Sequence, residues 1–124
     1  MKKIEIVIPV KPVPFARPRF GKSKQVFEPK RYADFKSIVA WHVLDFMAFK
    51  NFQMFSDSCA VSVDFFKKNQ AVTSRNWGDL DNFLKAVLDA LNGVLWVDDS
   101  IITRIAGAKN FADENKIVLK AWGC

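Results

Sequence analysis

The stretch that decides the fold is Gly78 to Ser100, GDLDNFLKAVLDALNGVLWVDDS, within a chain of 124 residues. Apolar residues recur in it at steps of three and four; they are Leu80, Phe83, Leu84, Val87, Leu88 and Leu91. This spacing predicts an amphipathic helix with one continuous apolar face. Asn92-Gly93 then forms a typical signal for the end of a helix. The charged residues of the stretch therefore lie on the opposite, solvent-facing side.

Segments on both sides of this helix alternate in the manner of β-strands. They are Ile4 to Val10, Cys59 to Phe66, and two segments near Ile101 to Lys109 and Lys116 to Trp122. The polar turn Asp113 to Asn115 favours a hairpin of the last two strands. Another helix is predicted from about Arg31 to about Lys50. This order predicts an α+β (mixed α/β) fold, in which two main helices pack on a small mixed sheet of about five strands.

The composition indicates one domain that spans residues 1–124. Half of the residues (50%) are hydrophobic, and five Gly with five Pro are too few for a fibrous or low-complexity chain. The length suits a single core. The two cysteines lack metal-site spacing, no secretory hydrophobic region is present, and charged residues interrupt the most apolar stretch, Ser37 to Phe55. We therefore expect a cytoplasmic protein without a membrane span.

Positive charge is concentrated at the N-terminal end of the chain. The net charge of the whole chain is +6, whereas residues 1–36 hold ten Lys or Arg and three Asp or Glu, a net charge of +7. Residues 11–30 form a basic, proline-rich loop that also contains three phenylalanines. Such a mixture can bind a DNA backbone and stack on bases, although a Lys-rich solvated surface is the alternative. The candidate DNA-binding residues are Lys11, Arg17, Arg19, Lys22, Lys24 and Arg75.

The charged face of the central helix carries Asp81, Lys85 and Asp89 at steps of four, and Asp79 directly precedes the helix. These residues have an ordinary structural explanation. Asp79 can cap the helix, and Asp81 can favour the positive end of its dipole and pair with Lys85. Each effect contributes about 0.3 to 1 kcal/mol. Taken alone, these residues require no catalytic explanation.

A second acidic pair, Asp98-Asp99, follows the apolar Trp96-Val97. If the apolar pair returns the chain to the start of the helix, three carboxylates converge there, those of Asp79, Asp81 and Asp99. Carboxylates about 4 Å apart repel by about 4 kcal/mol at an effective dielectric of 20, so such a cluster requires either protonation or a cation. Oxygen ligands without His or Cys suit Mg²⁺, with Mn²⁺ as a substitute. A magnesium ion beside a lysine can serve phosphodiester hydrolysis.

The sequence of this region resembles the RusA family of Holliday-junction endodeoxyribonucleases. The matching pattern is D-x-D-N-x-x-K at Asp79 to Lys85, an apolar helix, and an apolar pair before Asp98-Asp99. The N-terminal strand and its proline-rich, Arg-bearing loop are similar as well. The resemblance implies a magnesium-dependent homodimer of bacterial or prophage origin that resolves four-way junctions by paired symmetric nicks, in DNA recombination and repair. It also implies catalytic roles for Asp79, Asp81, Lys85 and Asp99, metal binding by the three aspartates among them, and supporting roles for Asn82 and Asp98.

Two other functions stay open at this point. A non-catalytic protein that binds DNA junctions would use the acidic residues only as caps and solvated turns. A metal-dependent nuclease of other specificity, such as a flap or single-strand nuclease, would need the same residues as a resolvase. A homodimer is expected from the substrate alone, since a junction offers symmetric strands and each chain has one predicted site. The aromatic helix from Arg31 to Lys50 is the candidate subunit contact, and the C-terminal strands are the alternative.

Overall fold

The computed structural model describes residues 2–16, 19–20, 26–68 and 77–124, with the backbone alone at 19–20 and 26–27. The elements in chain order are β1 (Lys3–Ile8), β2 (Arg19–Phe20), β3 (Val26–Phe27), α1 (Lys30–Lys50), β4 (Cys59–Lys68), α2 (Leu80–Leu91), a 3-10 turn (Asp99–Ile101), β5 (Ile102–Ala112) and β6 (Lys116–Gly123). The α+β class predicted from the sequence is confirmed, because two helices pack on a mixed sheet.

The main sheet has four strands in the order β1-β6-β4-β5, against the five or so expected from the sequence. The β2 and β3 strands form a separate antiparallel pair inside the basic loop. The predicted hairpin of β5 and β6 is wrong, because β4 lies between them. β5 is parallel to β4, whereas β6 is antiparallel to it. Parallel neighbours need a crossover connection, and α2 supplies it, which makes β4-α2-β5 a βαβ unit.

The core lies between the two helices and one face of the sheet. Alternate strand residues point into it, as the period of two predicts. The buried strand residues include Ile4, Ile6, Ile8, Val61, Val63, Phe65, Ile117 and Leu119. Both helices add a buried stripe, consisting of Tyr32, Phe35, Val39, Val43 and Met47 on α1 and of Phe83, Ala86, Val87, Ala90 and Leu91 on α2.

The α1 helix is also apolar on its outer face. Its large exposed side chains are Ile38, Trp41, Leu44 and Phe49, of which Trp41 and Phe49 are 68% and 84% exposed. This is the surface that the sequence singled out as a candidate subunit contact. Among the described helices, α1 included, none is long and apolar enough to cross a lipid bilayer.

The α2 helix and the β5 strand run in opposite directions, as expected in a βαβ unit. Gly78, just before the helix, accepts a hydrogen bond of 2.9 Å from the ammonium of Lys109, late in β5. Further along the helix, Leu84 packs directly over Gly107. The start of α2 therefore lies beside the C-terminal half of β5.

The contact of Leu84 with Gly107 predicts a stability effect. A Cβ atom at position 107 would lie 2.8 Å from Leu84 Cδ2, so Gly107→Val pushes the helix away from the sheet. We expect a loss of about 1–3 kcal/mol in the free energy of unfolding, measured by urea denaturation. Leu84→Ala in the same chain should recover part of it. Ala106→Val, at the exposed neighbouring position, is the control and should change stability by about 0.5 kcal/mol or less. Equal losses at 106 and 107 would contradict the packing described.

Candidate active site

The first acidic pair lies at the start of α2. Asp79 occupies the N-cap position with extended backbone angles, yet its side chain makes no capping hydrogen bond to the described helix. The cap is made by its backbone instead, because the Asp79 carbonyl accepts from the amides of Asn82 and Phe83 at 3.1 and 3.3 Å. In the first turn, the carboxylate of Asp81 accepts from the Asn82 amide at 2.9 Å. The side-chain capping explanation for Asp79 therefore fails, and both exposed carboxylates face solvent.

The second acidic pair lies at the 3-10 turn that leads into β5. Asp98 caps this turn, and its Oδ2 accepts from the Ser100 amide at 3.2 Å. Hydrogen bonding to the Ser100 side chain and amide lowers the pKa of Asp98 below its ordinary value. Asp99 starts the turn and is exposed. Asp98 thus has a structural task in the turn, which leaves Asp99 as the better candidate ligand of the pair.

The chain after α2 does not return to the start of the helix. The Gly93 amide donates to the Trp96 carbonyl at 2.8 Å, and the Trp96 indole donates to Asn92 Oδ1 at 2.9 Å. Trp96 is fully buried beside Phe55, whose backbone bonds to the same segment. Trp96 therefore anchors the chain at the C-terminal end of α2. The two acidic pairs thus adjoin opposite ends of α2, whose 12 residues span about 18 Å. Among the described residues, the expected convergence of three carboxylates is not found within one chain.

The four carboxylates are suitable metal ligands by their chemistry, but they are not gathered in one place. All four are oxygen donors on exposed side chains, which suits Mg²⁺ or Mn²⁺. Within the described ranges, however, no group of three or more His, Cys, Asp or Glu side chains is close enough to hold a metal ion. One chain therefore offers suitable donors in two separate places, with the start of α2 as one and the turn before β5 as the other.

Lys85 lies one turn after Asp81 on the exposed face of α2. Among the described residues, Lys85 forms no ion pair with Asp81 or with Asp89. Its ammonium lies over the ring of Phe15 instead, 3.9 Å from the ring centroid. Asp89 accepts a 2.7 Å hydrogen bond from the hydroxyl of Tyr32 on α1. The surface ion pair that the sequence suggested is thus replaced by a cation-π contact.

Phe15 joins the proline-rich segment to α2. Its amide donates to the Asn82 carbonyl at 2.9 Å. Its ring meets that of Tyr32 edge to face, with centroids 5.6 Å apart and planes at 86°. Burial and then the hydrogen bond to Asp89 raise the pKa of Tyr32 above its ordinary value. The sequence did not predict that Phe15 and Tyr32 contact α2. The residues that they contact, Asn82, Lys85 and Asp89, share one face of the helix.

A group of cations lies behind the start of α2. Lys67, at the end of β4, is only 4% exposed, and its ammonium donates to the Trp77 carbonyl at 3.4 Å. It also lies 5.1 Å from the Trp77 ring centroid. Burial, and then the charges of Lys11, Arg31 and Lys109, lower the pKa of Lys67. Lys67 and Lys109 therefore fix the backbone of Trp77 and Gly78, directly before Asp79, through hydrogen bonds to their carbonyls. No sequence pattern indicates this role.

The predicted DNA-binding residues are only partly covered by the structure. Lys11 is exposed on the segment after β1. Arg19 is described by its backbone alone, in β2. The others, Arg17, Lys22, Lys24 and Arg75, lie outside the described residues. Their contact with DNA stays a prediction.

The sequence was compared with curated proteins and with models of protein families. No individually curated protein matches the chain significantly. The family described as endodeoxyribonuclease RusA matches residues 9–121, nearly the whole chain. The matched region contains both acidic pairs, Lys85 and the proline-rich segment that Phe15 anchors. The chain therefore belongs to the RusA endodeoxyribonuclease family.

Proposed function

We propose that this protein is a divalent-metal-dependent Holliday-junction resolvase that acts in DNA recombination and repair in the bacterial cytoplasm, in a host or prophage context. It makes paired symmetric nicks in four-way junctions. The observation that carries the proposal is the start of α2, where the exposed carboxylates of Asp79 and Asp81 lie close to a helix lysine, Lys85. Asp79 is not used as a side-chain cap, and Lys85 pairs with no carboxylate of the described residues. Family membership supports the nuclease activity.

Each residue of the proposed site has a distinct task. Asp79, Asp81 and Asp99 would hold Mg²⁺, or Mn²⁺ in its place, and Asn82 and Asp98 would support them. When bound, the ion supplies Lewis-acid polarisation of the phosphate and a more acidic water molecule. Lys85 neutralises the negative charge that develops on the phosphate as it is attacked. Lys11 and the other cations of the basic loop hold the DNA backbone and orient the scissile strand.

A second copy of the chain supplies the missing carboxylate. β5 is an edge strand of the main sheet, with 11 residues. Two copies that pair antiparallel along this edge place the first residues of one β5 against the last residues of the other. Because α2 begins beside the end of β5, Asp99 of each copy then approaches Asp79 and Asp81 of the other. A dimer of this kind has two sites, one for each nick. The apolar outer face of α1 is the other candidate contact.

A cleavage assay with four DNA substrates tests the proposed function. A four-way junction is incubated with the protein and Mg²⁺ beside linear, flap and single-stranded DNA of the same sequence. We expect paired nicks at symmetric positions of the junction and none without a divalent metal. Cleavage of flap or single-stranded DNA at the same rate would indicate a nuclease of other specificity. Junction binding without cleavage in Mg²⁺ or Mn²⁺ would indicate a non-catalytic junction-binding protein.

A further inference from the structure

We propose that Phe15 is a positioning residue for Lys85. Its ring holds the lysine ammonium in place for the reaction and links it to the basic loop, of which Phe15 is part. The inference rests on the proposed function, in which Lys85 acts on the phosphate. It concerns a residue with no acid, base or metal-binding chemistry of its own.

The contact between Phe15 and Lys85 is close and does not neutralise the lysine. The ammonium lies 3.9 Å from the ring centroid, whereas the next closest described pairs, Lys36 over Tyr32 and Lys2 over Phe55, are both at 4.7 Å. An aromatic face attracts a cation through its quadrupole and carries no net charge. A carboxylate in the same place would hold the lysine equally well but would cancel its charge. The ring thus restricts an exposed, flexible side chain and leaves its full positive charge available for a phosphate.

The ring of Phe15 is itself held in a fixed position relative to α2. The backbone amide of Phe15 bonds to the Asn82 carbonyl at 2.9 Å, one turn before Lys85. The ring also forms a T-shaped pair with that of Tyr32, which is 2% exposed. Tyr32 in turn donates to Asp89, one turn after Lys85, at 2.7 Å. Residues of α2 on both sides of Lys85 therefore fix the position of the Phe15 ring, one directly and the other through Tyr32. The cation-π contact is thus supported by its surroundings.

Phe15 belongs to the basic loop, residues 11–30, so its contact joins Lys85 to that loop. Arg17, the first arginine of the loop, is only two residues further along the chain.

The contact can be measured without any reaction. A proton above the centre of an aromatic ring is shifted upfield in the NMR spectrum, so the ε-protons of Lys85 should show such a shift. Phe15→Leu should abolish it and Phe15→Tyr should keep it. Phe66→Leu, which removes the half-buried ring under Lys116 at 5.1 Å, is the matched control and should leave the Lys85 signals unchanged. Lys85 ε-protons without an upfield shift in the unmodified protein would overturn the proposal.

The catalytic consequence is tested on the junction at saturating protein and Mg²⁺. We expect Phe15→Leu to lower the single-turnover cleavage rate roughly three- to tenfold, with junction affinity within about twofold. Phe15→Tyr should restore the rate, and Phe66→Leu should match the unmodified protein. In a Lys85→Ala chain, Phe15→Leu should cause no further loss. A similar loss in that background, or a loss of affinity with an unchanged rate, would overturn the positioning role.

The two measurements separate this inference from the proposed function. If the NMR shift is present and the unmodified protein cleaves no branched DNA with any divalent metal, the proposed function fails together with the catalytic part of the inference. If the junction is cleaved and Phe15→Leu cleaves it at the unmodified rate, the proposed function stands and the role of Phe15 fails. Thermal unfolding of each variant checks that the fold is intact.

Discussion

Asp81→Asn is expected to abolish junction cleavage and to leave junction binding intact or strengthen it. The exposed carboxylate of Asp81 is one of the proposed metal ligands at the start of α2. The amide that replaces it is a weaker ligand for a hard cation and carries no charge. We expect the cleavage rate to fall roughly a hundredfold or more. Affinity is retained because the change removes one negative charge from a surface that meets phosphates.

The measurement is a single-turnover cleavage assay beside a gel-shift titration of the same labelled junction. Asp45→Asn is the matched control, since Asp45 is also an exposed helical aspartate and lies on α1. It should leave the cleavage rate unchanged. A rate for Asp81→Asn equal to that of the unmodified protein would remove Asp81 from the site. A parallel loss of binding would indicate that the variant is misfolded, which thermal unfolding would show directly.

Mixing two inactive variants restores cleavage if the site is shared between subunits. In a dimer of one Asp81→Asn chain and one Asp99→Asn chain, one site carries both changes and the other carries none. Random pairing makes about half of the dimers mixed, so about a quarter of all sites are intact. We expect about a quarter of the unmodified nicking rate, with single nicks in place of paired ones. Each variant alone should be inactive.

The mixture is prepared by unfolding and refolding the two variants together, and a mixture of Asp81→Asn with itself, tagged and untagged, is the control. Activity no higher than that of the separate variants would show that each site lies within one chain. The chain after Trp96 would then have to rearrange on metal or DNA binding to bring Asp99 to Asp79. The experiment separates the two arrangements clearly, because a mixed dimer contains an intact site only if each site takes residues from both chains.

The sequence predicted local structure well wherever the signal was periodic. The bounds of α2 agree with its apolar spacing from Leu80 to Leu91, since one amphipathic face fixes both the type and the extent of a helix. The hairpin of β5 and β6 was wrong because strand pairing is a long-range property. Their turn favours a hairpin, but each strand pairs with a different side of β4.

For the candidate site, the sequence predicts where its residues lie along the chain but not how they are arranged in space. As the motif predicts, Asp79 directly precedes α2, and Asp81 and Lys85 lie within it. The position of Asp99 depends on the direction in which the chain leaves α2, and the packing of Trp96 decides that direction. The contact of Phe15 with Lys85 joins residues 70 positions apart in the sequence. No local pattern carries such information.

If the proposed dimer forms, the position of the two acidic pairs at opposite ends of α2 makes cleavage depend on the concentration of the protein. A lone chain would hold two of the proposed metal ligands, Asp79 and Asp81, at the start of the helix and the third, Asp99, beyond its other end. Such a chain would have no complete site and would not cut DNA. Cleavage would then begin only when the concentration passes the dissociation constant of the dimer, and dilution would switch it off.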